Sequence, residues 1–387
     1  MVNIALVSGS AGDTHCGVGD YTYELAQHLA LDAEVHLYFD HQHAPVRPPF
    51  KRLTTLHLHP VKGFSVFSLN KLVRELRNRE YDIVHVQYPS KGYGTSVGPG
   101  FLPQNLAGMR SRSRIVVTLH EWITSHPLRK MVMDQMLPST DALVVTNEAE
   151  MDALVKKLSG RRVVAIPVGN VLTSQAELEA VWLEAEGKPA PQPAPPAGPA
   201  GRIPDSLFHF GLPAKGKGVD KLLTALKLVR EAGVPAVLYL GGDFPPGEQR
   251  TETILNLITE LGLSEAVVRL GHIPPGRIAS TVEQYCLGVF PFAEGYSSKR
   301  SSIAAISQLD LPVCVGGGSK EEHPYYAPEQ NTAESLAVIL KELLSGRLAG
   351  EWSDQVNKQR EYGRRFSFSR VAESHLDLYD RLRKVDA

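Results

Sequence analysis

Cysteine is scarce: Cys16, Cys286 and Cys314 are the only three, far apart and without CxxC spacing. An odd, scattered set argues against a disulfide framework or a thiolate metal site and suits a reducing compartment, the cytoplasm. No apolar run approaches the roughly 20 residues of a membrane-spanning helix. The opening residues, MVNIALVSGS, lack the basic leader and long apolar core of a signal peptide and read as a strand. Neither sign of charge prevails, since 41 Lys and Arg face 42 Asp and Glu for a net charge of -1. Nothing therefore marks a nucleic-acid partner. None of the 14 histidines falls in a metal-ligand spacing such as HExxH, so neither a metal nor a bound cofactor is expected.

What is present is length and alternation. A chain of 387 residues exceeds what one core usually serves, which predicts two domains. Near-continuous apolar runs at 3–8, 34–39, 82–87, 115–119, 141–146 and 163–167 read as strands buried on both faces, with helices at 21–31 and 69–79 between them. Strands alternating with helices predict a doubly wound parallel sheet, whose ligands bind at the strands' carboxyl ends. There lie a loop carrying Gly9, Gly12, Gly17 and Gly19, a histidine inside a strand (His85), and His120 just after Thr118-Leu119. Glycines let a backbone approach a ligand, and a histidine at a strand end can donate to a phosphate or sugar hydroxyl or move a proton. The plainer readings are a tight turn and a histidine tied to a neighbouring carbonyl.

Residues 187–201, GKPAPQPAPPAGPAG, hold almost no bulky apolar side chain and read as an extended, mobile spacer. The plan then repeats. A strand at 206–210 runs into Gly211 to Gly218, with Lys215 and Lys217, and a helix at 219–232. Further strands are expected at 236–241, 267–270 and 311–315, and helices at 250–261, 278–285, 332–345 and 361–384 with a break near 366–368. Neither glycine loop has the order of a P-loop or a dinucleotide fingerprint. Residues 288–312 matter most: Val289-Phe290-Pro291-Phe292, then Glu294, Gly295, Ser297, Ser298, Lys299 and Arg300, then Ser301-Ser302 opening a helix. A strand turning into a helix presents unpaired N–H groups to an anion, and Lys299 and Arg300 deepen that seat. Glu294 at its rim can accept hydrogen bonds from hydroxyls. Arg110, Arg112 and Arg114 follow Phe101, Leu102 and Leu106, and a second basic cluster is Lys156, Lys157, Arg161 and Arg162. A basic, apolar face can rest on anionic lipid, so peripheral membrane contact stays open beside the plainer reading of a solvated helix end.

The ordered set Gly17-Val18-Gly19-Asp20-Tyr21, Asp82-Ile83-Val84-His85-Val86, Thr118-Leu119-His120-Glu121, Asp141 to Val145, Phe210-Gly211, Lys217-Gly218-Val219, Gly241-Gly242, Leu270 to Ile273 and Glu294-Gly295 resembles glycosyltransferases of family 4. The resemblance implies an α/β fold of two Rossmann-like doubly wound domains facing across a cleft, the GT-B architecture. The domains would be an acceptor domain over 1–171, a helix and linker over 172–204, a donor domain over 205–365, and a closing helix over 366–387 returning to the first domain. It implies a retaining, metal-independent transfer from a nucleotide-diphosphate sugar, the co-substrate, to an unidentified acceptor read by loops near 91–100 and 126–136. The catalytic residues would be His120 and Glu294. Gly17, Gly19, Lys215, Lys217, Ile273, Ser297, Ser298, Arg300, Ser301 and Ser302 would hold the donor. Two features depart from the family pattern: no basic residue stands at Leu212-Pro213-Ala214, and Ser302 occupies the place of a second Glu. A non-catalytic sugar-nucleotide-binding protein and a sugar-nucleotide 2-epimerase are the alternatives.

Overall fold

A computed structural model of the protein describes residues 1–12, 16–107, 113–123, 125–158, 162–189, 195–211, 213–274, 277–298, 301–319 and 321–384. The chain divides into two units, residues 1–190 with 366–387 and residues 191–365. Each is a parallel sheet flanked by helices, and together they are two Rossmann-like units of mixed α/β class.

In the first unit the strands are β1 (Val2–Val7), β2 (Ala33–Asp40), β3 (Leu56–Val61), β4 (Ile83–Tyr88), β5 (Arg114–Leu119), β6 (Ala142–Val145) and β7 (Arg162–Ala165). Its helices are α1 (Gly17–Leu29), α2 (Val66–Asn78), α3 (Gly98–Ala107), α4 (Pro127–Met136), α5 (Glu148–Lys157) and α6 (Ser174–Ala185). The sheet order is β3-β2-β1-β4-β5-β6-β7. Its apolar strands bury both faces: Ile4 and Leu6 face a core with Tyr21 and Leu25, and Ala5, Val7 and Val117 face one with Leu72 and Leu102. Each of the Val, Leu and Ile side chains among these contributes about 1.5–3 kcal/mol. The second unit holds β8 (Ser206–Phe210), β9 (Val237–Gly241), β10 (Val267–Gly271), β11 (Leu287–Phe290) and β12 (Val313–Val315), in the order β10-β9-β8-β11-β12. Around it are α7 (Val219–Glu231), α8 (Gln249–Glu260), α9 (Ile278–Val282), α10 (Ser301–Ile306), α11 (Ala333–Glu342) and α12 (Leu348–Gly363). The last helix, α13 (Phe368–Arg383), belongs to the first unit, where Phe368, Val371, Leu378 and Tyr379, at helical spacing, share a core with Tyr21 of α1.

Several expectations shift. Helix α1 starts at Gly17, because Cys16 Sγ accepts the Gly19 N–H and caps it, so Gly17 and Gly19 lie in the first helical turn and not in a loop. The edge strand β3, Leu-His-Leu-His-Pro-Val, escapes an apolar-run search because His and Pro interrupt it, and an edge tolerates Pro60. The stretch 127–136, expected as an acceptor loop, is helix α4, opened by Pro127 and capped by His126, whose Nδ1 accepts the Leu128 N–H. Leu102 and Leu106 are buried, which removes them from any lipid-facing surface, while Arg114 pairs with Asp141 and Lys157 with Asp134. Arg110, Arg112 and Arg161 lie outside the described residues. No helix among the described residues is long and apolar enough to cross a membrane.

Helix α6, expected within the linker, belongs to the first unit; its Ser174 hydroxyl bonds His28 of α1. The second half of the Pro-rich segment is tied down and not free: Ala197 N–H donates to Asp310 at 2.8 Å. The Arg202 guanidinium, buried under Trp352, donates to the carbonyls of Gly198, Val282, Tyr285 and Asp310 and to the Asp310 carboxylate. Arg202→Ala strands these acceptors and is expected to cost the second unit about 3–5 kcal/mol in urea unfolding; a loss under about 1 kcal/mol would contradict this anchoring role.

Candidate functional site

In the second sheet β8 and β11 are neighbours, and the strand order reverses between them. Their connections leave on opposite faces, which opens a crevice at the carboxyl ends. The loop after β8, residues 211–218, and the turn after β11, residues 291–298, line that crevice and are joined to each other. The Ala293 N–H donates to the Gly216 carbonyl at 3.0 Å. Gly218 has φ +74 and lies so close to the Pro291 carbonyl that a Cβ would collide with it. Lys217 sits half-buried with its ammonium 5.4 Å from the Phe292 ring, while Lys215 is exposed. Glu294 is exposed at the turn. Ile273, at the end of β10, is buried and presses on Gly241 at the end of β9. The structure thus gathers Lys217, Glu294, Ser297, Ser298 and Ile273 at the carboxyl edge of one sheet. Arg300 and Lys299 lie outside the described residues, and α10 begins at Ser301, so Ser301 and Ser302 are its first two residues.

Two residues of this edge, Asn331 and Glu321, were not singled out from the sequence. Asn331 donates to the carbonyls of Phe292 at 3.1 Å and Ala293 at 2.7 Å and accepts from Lys221, so it clamps the turn. Glu321, in the loop after β12, accepts the Ser297 hydroxyl at 3.0 Å and the Ser298 N–H at 2.8 Å. A carboxylate therefore holds the donors expected to meet a phosphate. The signal available was the same strand-end rule, applied to the run Gly316 to Glu321. Ser302 is buried, and its hydroxyl has no partner among the described residues.

In the first sheet the order reverses between β1 and β4. Here the residues after the strands pack backbone against backbone. The Ser10 N–H donates to Ser90 Oγ at 2.9 Å, and the Gly92 N–H to Ser10 Oγ at 2.9 Å. Cys16 Sγ accepts N–H groups of both Gly19 and Lys91 at 3.3 Å. Gly19 is buried against Ser10, whereas Gly17 is exposed with open space beside it, so of the two only Gly17 offers room to a ligand. A cavity of about 660 Å³ opens beside Tyr88 at the end of β4, between α3 and α4, lined by Val97, Phe101, Leu128, Arg129 and Met131 among others.

His120 ends β5 inside a buried polar chain. Its Nε2 lies 2.9 Å from Gln87 Oε1, and the Gln87 amide nitrogen lies 3.3 Å from His85 Nε2. His85 Nε2 also faces the Thr118 hydroxyl at 2.7 Å, and its Nδ1 the Tyr379 hydroxyl at 2.6 Å. With Gln87 so oriented, His120 carries its proton on Nε2 and donates it. Burial first, and then the neighbouring His375, pushes the His120 pKa down to about 3. Burial likewise holds His85 well below the usual range and His375 at about 4. His120 is therefore neutral at pH 7 and acts as a fixed hydrogen-bonding group rather than a proton carrier. Above pH 6.5 folded and unfolded chains are both neutral at these rings, and below it only the unfolded chain gains protons. Stability is thus lost as pH falls from about 6.5 toward 3, by up to about 1.4 kcal/mol per pH unit per histidine. His120→Gln should remove about one proton's worth of that slope between pH 6 and 4.5 in urea midpoints; an unchanged slope would contradict the buried neutral ring.

Residues 16–170 match the model of Glycosyltransferase Family 4. No curated protein matches the sequence. Among solved structures, sucrose-phosphate synthase of Thermosynechococcus elongatus is similar at 16% identity and TM-score 0.70, over 99% of both chains. HepE of Anabaena, in complex with UDP and glucose, is similar at 15% and TM-score 0.67, over 98% of this chain and 100% of that one. A glycosyltransferase of Rickettsia africae is similar at 17% and TM-score 0.67, over 99% of both. At such identities the likeness shows the fold. The chain has the GT-B type of fold, and its residues 16–170 match the model of family-4 glycosyltransferases.

Proposed function

We propose that this glycosyltransferase is retaining and metal-independent, and that it takes its sugar from a nucleotide-diphosphate donor seated at the carboxyl edge of the second sheet. The observation that carries this is the joined pair of loops at the β8–β11 reversal, which sets Lys217 and Glu294 at one crevice. A cation at a crevice where a strand turns into a helix suits a diphosphate, and a carboxylate beside it suits sugar hydroxyls. HepE, with the same fold, is described in complex with UDP and with UDP-glucose, which supports a nucleotide sugar as the partner.

In this reading Lys217, with Lys215 two residues before it and Arg300 following the turn after β11 in sequence, stabilises the charge that grows on the leaving diphosphate. Backbone near Ile273 holds the base. Glu294 orients the donor sugar, and the unpartnered Ser302 hydroxyl gives its hydrogen bond to the ribose. The acceptor hydroxyl attacks the anomeric carbon on the face from which the diphosphate departs, which retains configuration. Within the first unit, the cavity between α3 and α4 takes the acceptor. The same cavity wall, with Leu128 and Met131 exposed beside Arg129, is where peripheral contact with a membrane would fall. Because protein groups carry the leaving-group charge, donor turnover is expected to persist in EDTA.

Lys217→Ala should lower donor hydrolysis about 100-fold or more, read as released nucleoside diphosphate across UDP-, GDP-, ADP- and dTDP-sugars. Wild-type rates in that variant would overturn the site.

A second reading has support of its own. Ser302 in place of a carboxylate, and Glu321 on the Ser297 and Ser298 donors, favour a protein that binds a sugar nucleotide without transferring it. Both readings share one expectation. Glu321→Ala frees the two donors and removes a like charge, so a nucleoside diphosphate should bind about tenfold tighter in calorimetry, a gain of about 1.4 kcal/mol. Weaker binding would show instead that Glu321 shapes the seat.

A further inference from the structure

The edge strand β3 and its neighbour β2 carry a cluster that the glycosyl-transfer reading does not use. Glu34 and His36 are two apart on β2, and His57 and His59 are two apart on β3. The period of a strand puts each pair on one face. The parallel register then sets His36 beside His57 and Tyr38 beside His59.

Ligand atoms of Glu34, His36 and His57 lie within 4.8 Å of one another. Glu34 Oε1 is 3.3 Å from His57 Nε2 and 3.8 Å from His36 Nε2. A tetrahedral zinc ion with bonds of about 2.0–2.1 Å spaces its ligand atoms about 3.3 Å apart. The first distance meets that value already. Glu34 and His57 are half-exposed and free to turn inward, while His36 is buried and fixed.

What fixes His36 is a line of partners behind it. Its Nδ1 lies 2.9 Å from His59 Nε2, and His59 Nδ1 faces the Glu75 carboxylate at 3.9 Å. The proton arrangement that suits this line has His59 protonated on Nδ1 toward Glu75, and His36 protonated on Nδ1 and donating to His59. His36 Nε2 is then a bare lone pair directed at Glu34. Histidines that ligate metals are held in this way, with the far nitrogen donating to an outer group that sets tautomer and ring angle. The Tyr38 ring stacks on His59 at 4.6 Å, and its hydroxyl bonds that of Tyr81 at 2.8 Å, which keeps the outer ring in place. Arg79 brings one positive charge near these rings, against the two carboxylates Glu34 and Glu75.

We propose that Glu34, His36 and His57 form a divalent-metal site of the zinc class, with a fourth position for water, that ties edge strand β3 to β2. Two imidazoles and one carboxylate are a donor set of open zinc sites. The cluster sits along the strands and not among the loops at their carboxyl ends, so it serves stability and leaves glycosyl transfer alone.

The test is a titration of the full chain, stripped with EDTA and then freed of it, with Zn²⁺ by calorimetry and with Co²⁺ by visible absorption. One tight equivalent of Zn²⁺ is expected, together with the d–d absorption of tetrahedral Co²⁺ and a rise in Tm in excess Zn²⁺. Glu34→Gln and His57→Gln should each lose both signals while keeping the metal-free Tm. His59→Gln should keep the stoichiometry and weaken affinity about tenfold, because it acts only through His36. Absence of a tight equivalent in the wild type would overturn the site, and so would undiminished binding in both Glu34→Gln and His57→Gln. Donor hydrolysis should be the same with and without Zn²⁺, so failure here leaves the donor site standing and the reverse also holds.

Discussion

The structure depends on one topological constraint, imposed twice. In a parallel sheet whose strand order reverses, two adjacent strands send their chains to opposite faces, and nothing covers the gap between their ends. In the second unit that gap lies between β8 and β11, and in the first between β1 and β4. The chain must then turn sharply at four strand ends without filling the crevice. Glycines make this feasible where backbones meet: Gly218 approaches the Pro291 carbonyl, and Gly92 the Gly9 carbonyl, each too closely for a side chain. The crevices are thus by-products of sheet topology, and the chemistry comes from what the sequence places at their rims.

The two rims differ in kind. Around β8 and β11 the rim is polar and partly charged, with Lys217, Glu294 and Glu321 held at turns that Asn331 and backbone bonds fix. Around β1 and β4 the rim closes on itself through Ser10, Ser90 and Cys16, and the space lies further out, between α3 and α4. On the face of the sheet covered by α1 and α13, His85, Gln87, Thr118, His120 and Tyr379 form a buried line of neutral hydrogen bonds. Burial keeps these rings uncharged, and their positions are set by the sheet and by α13 together.

The sequence made the sheets legible because a strand buried on both faces is a plain apolar run. It missed β3, where His57, His59 and Pro60 break such a run on an exposed edge. It placed Lys217, Glu294 and Ile273 at strand ends, where the structure has them, because turn glycines and apolar runs are local signals. It put Gly17 and Gly19 in a loop, since a helix capped by a cysteine thiol and opened by two glycines looks like a turn. It could not show Glu321 on Ser298, 23 residues away, or Tyr379 on His85, 294 residues away, because such pairs are decided by packing and leave no spacing to read. The His-x-His pair of β3 was visible as letters, but its partner strand was needed to give it meaning.

The central claim is that a nucleoside diphosphate is gripped by the second unit alone, at its β8–β11 crevice. Backbone hydrogen exchange with and without UDP measures this directly, amide by amide. Slower exchange confined to residues 211–218, 271–274 and 294–302 is the predicted result. Protection falling instead on the first unit, or none at saturating UDP, GDP and ADP, would contradict it.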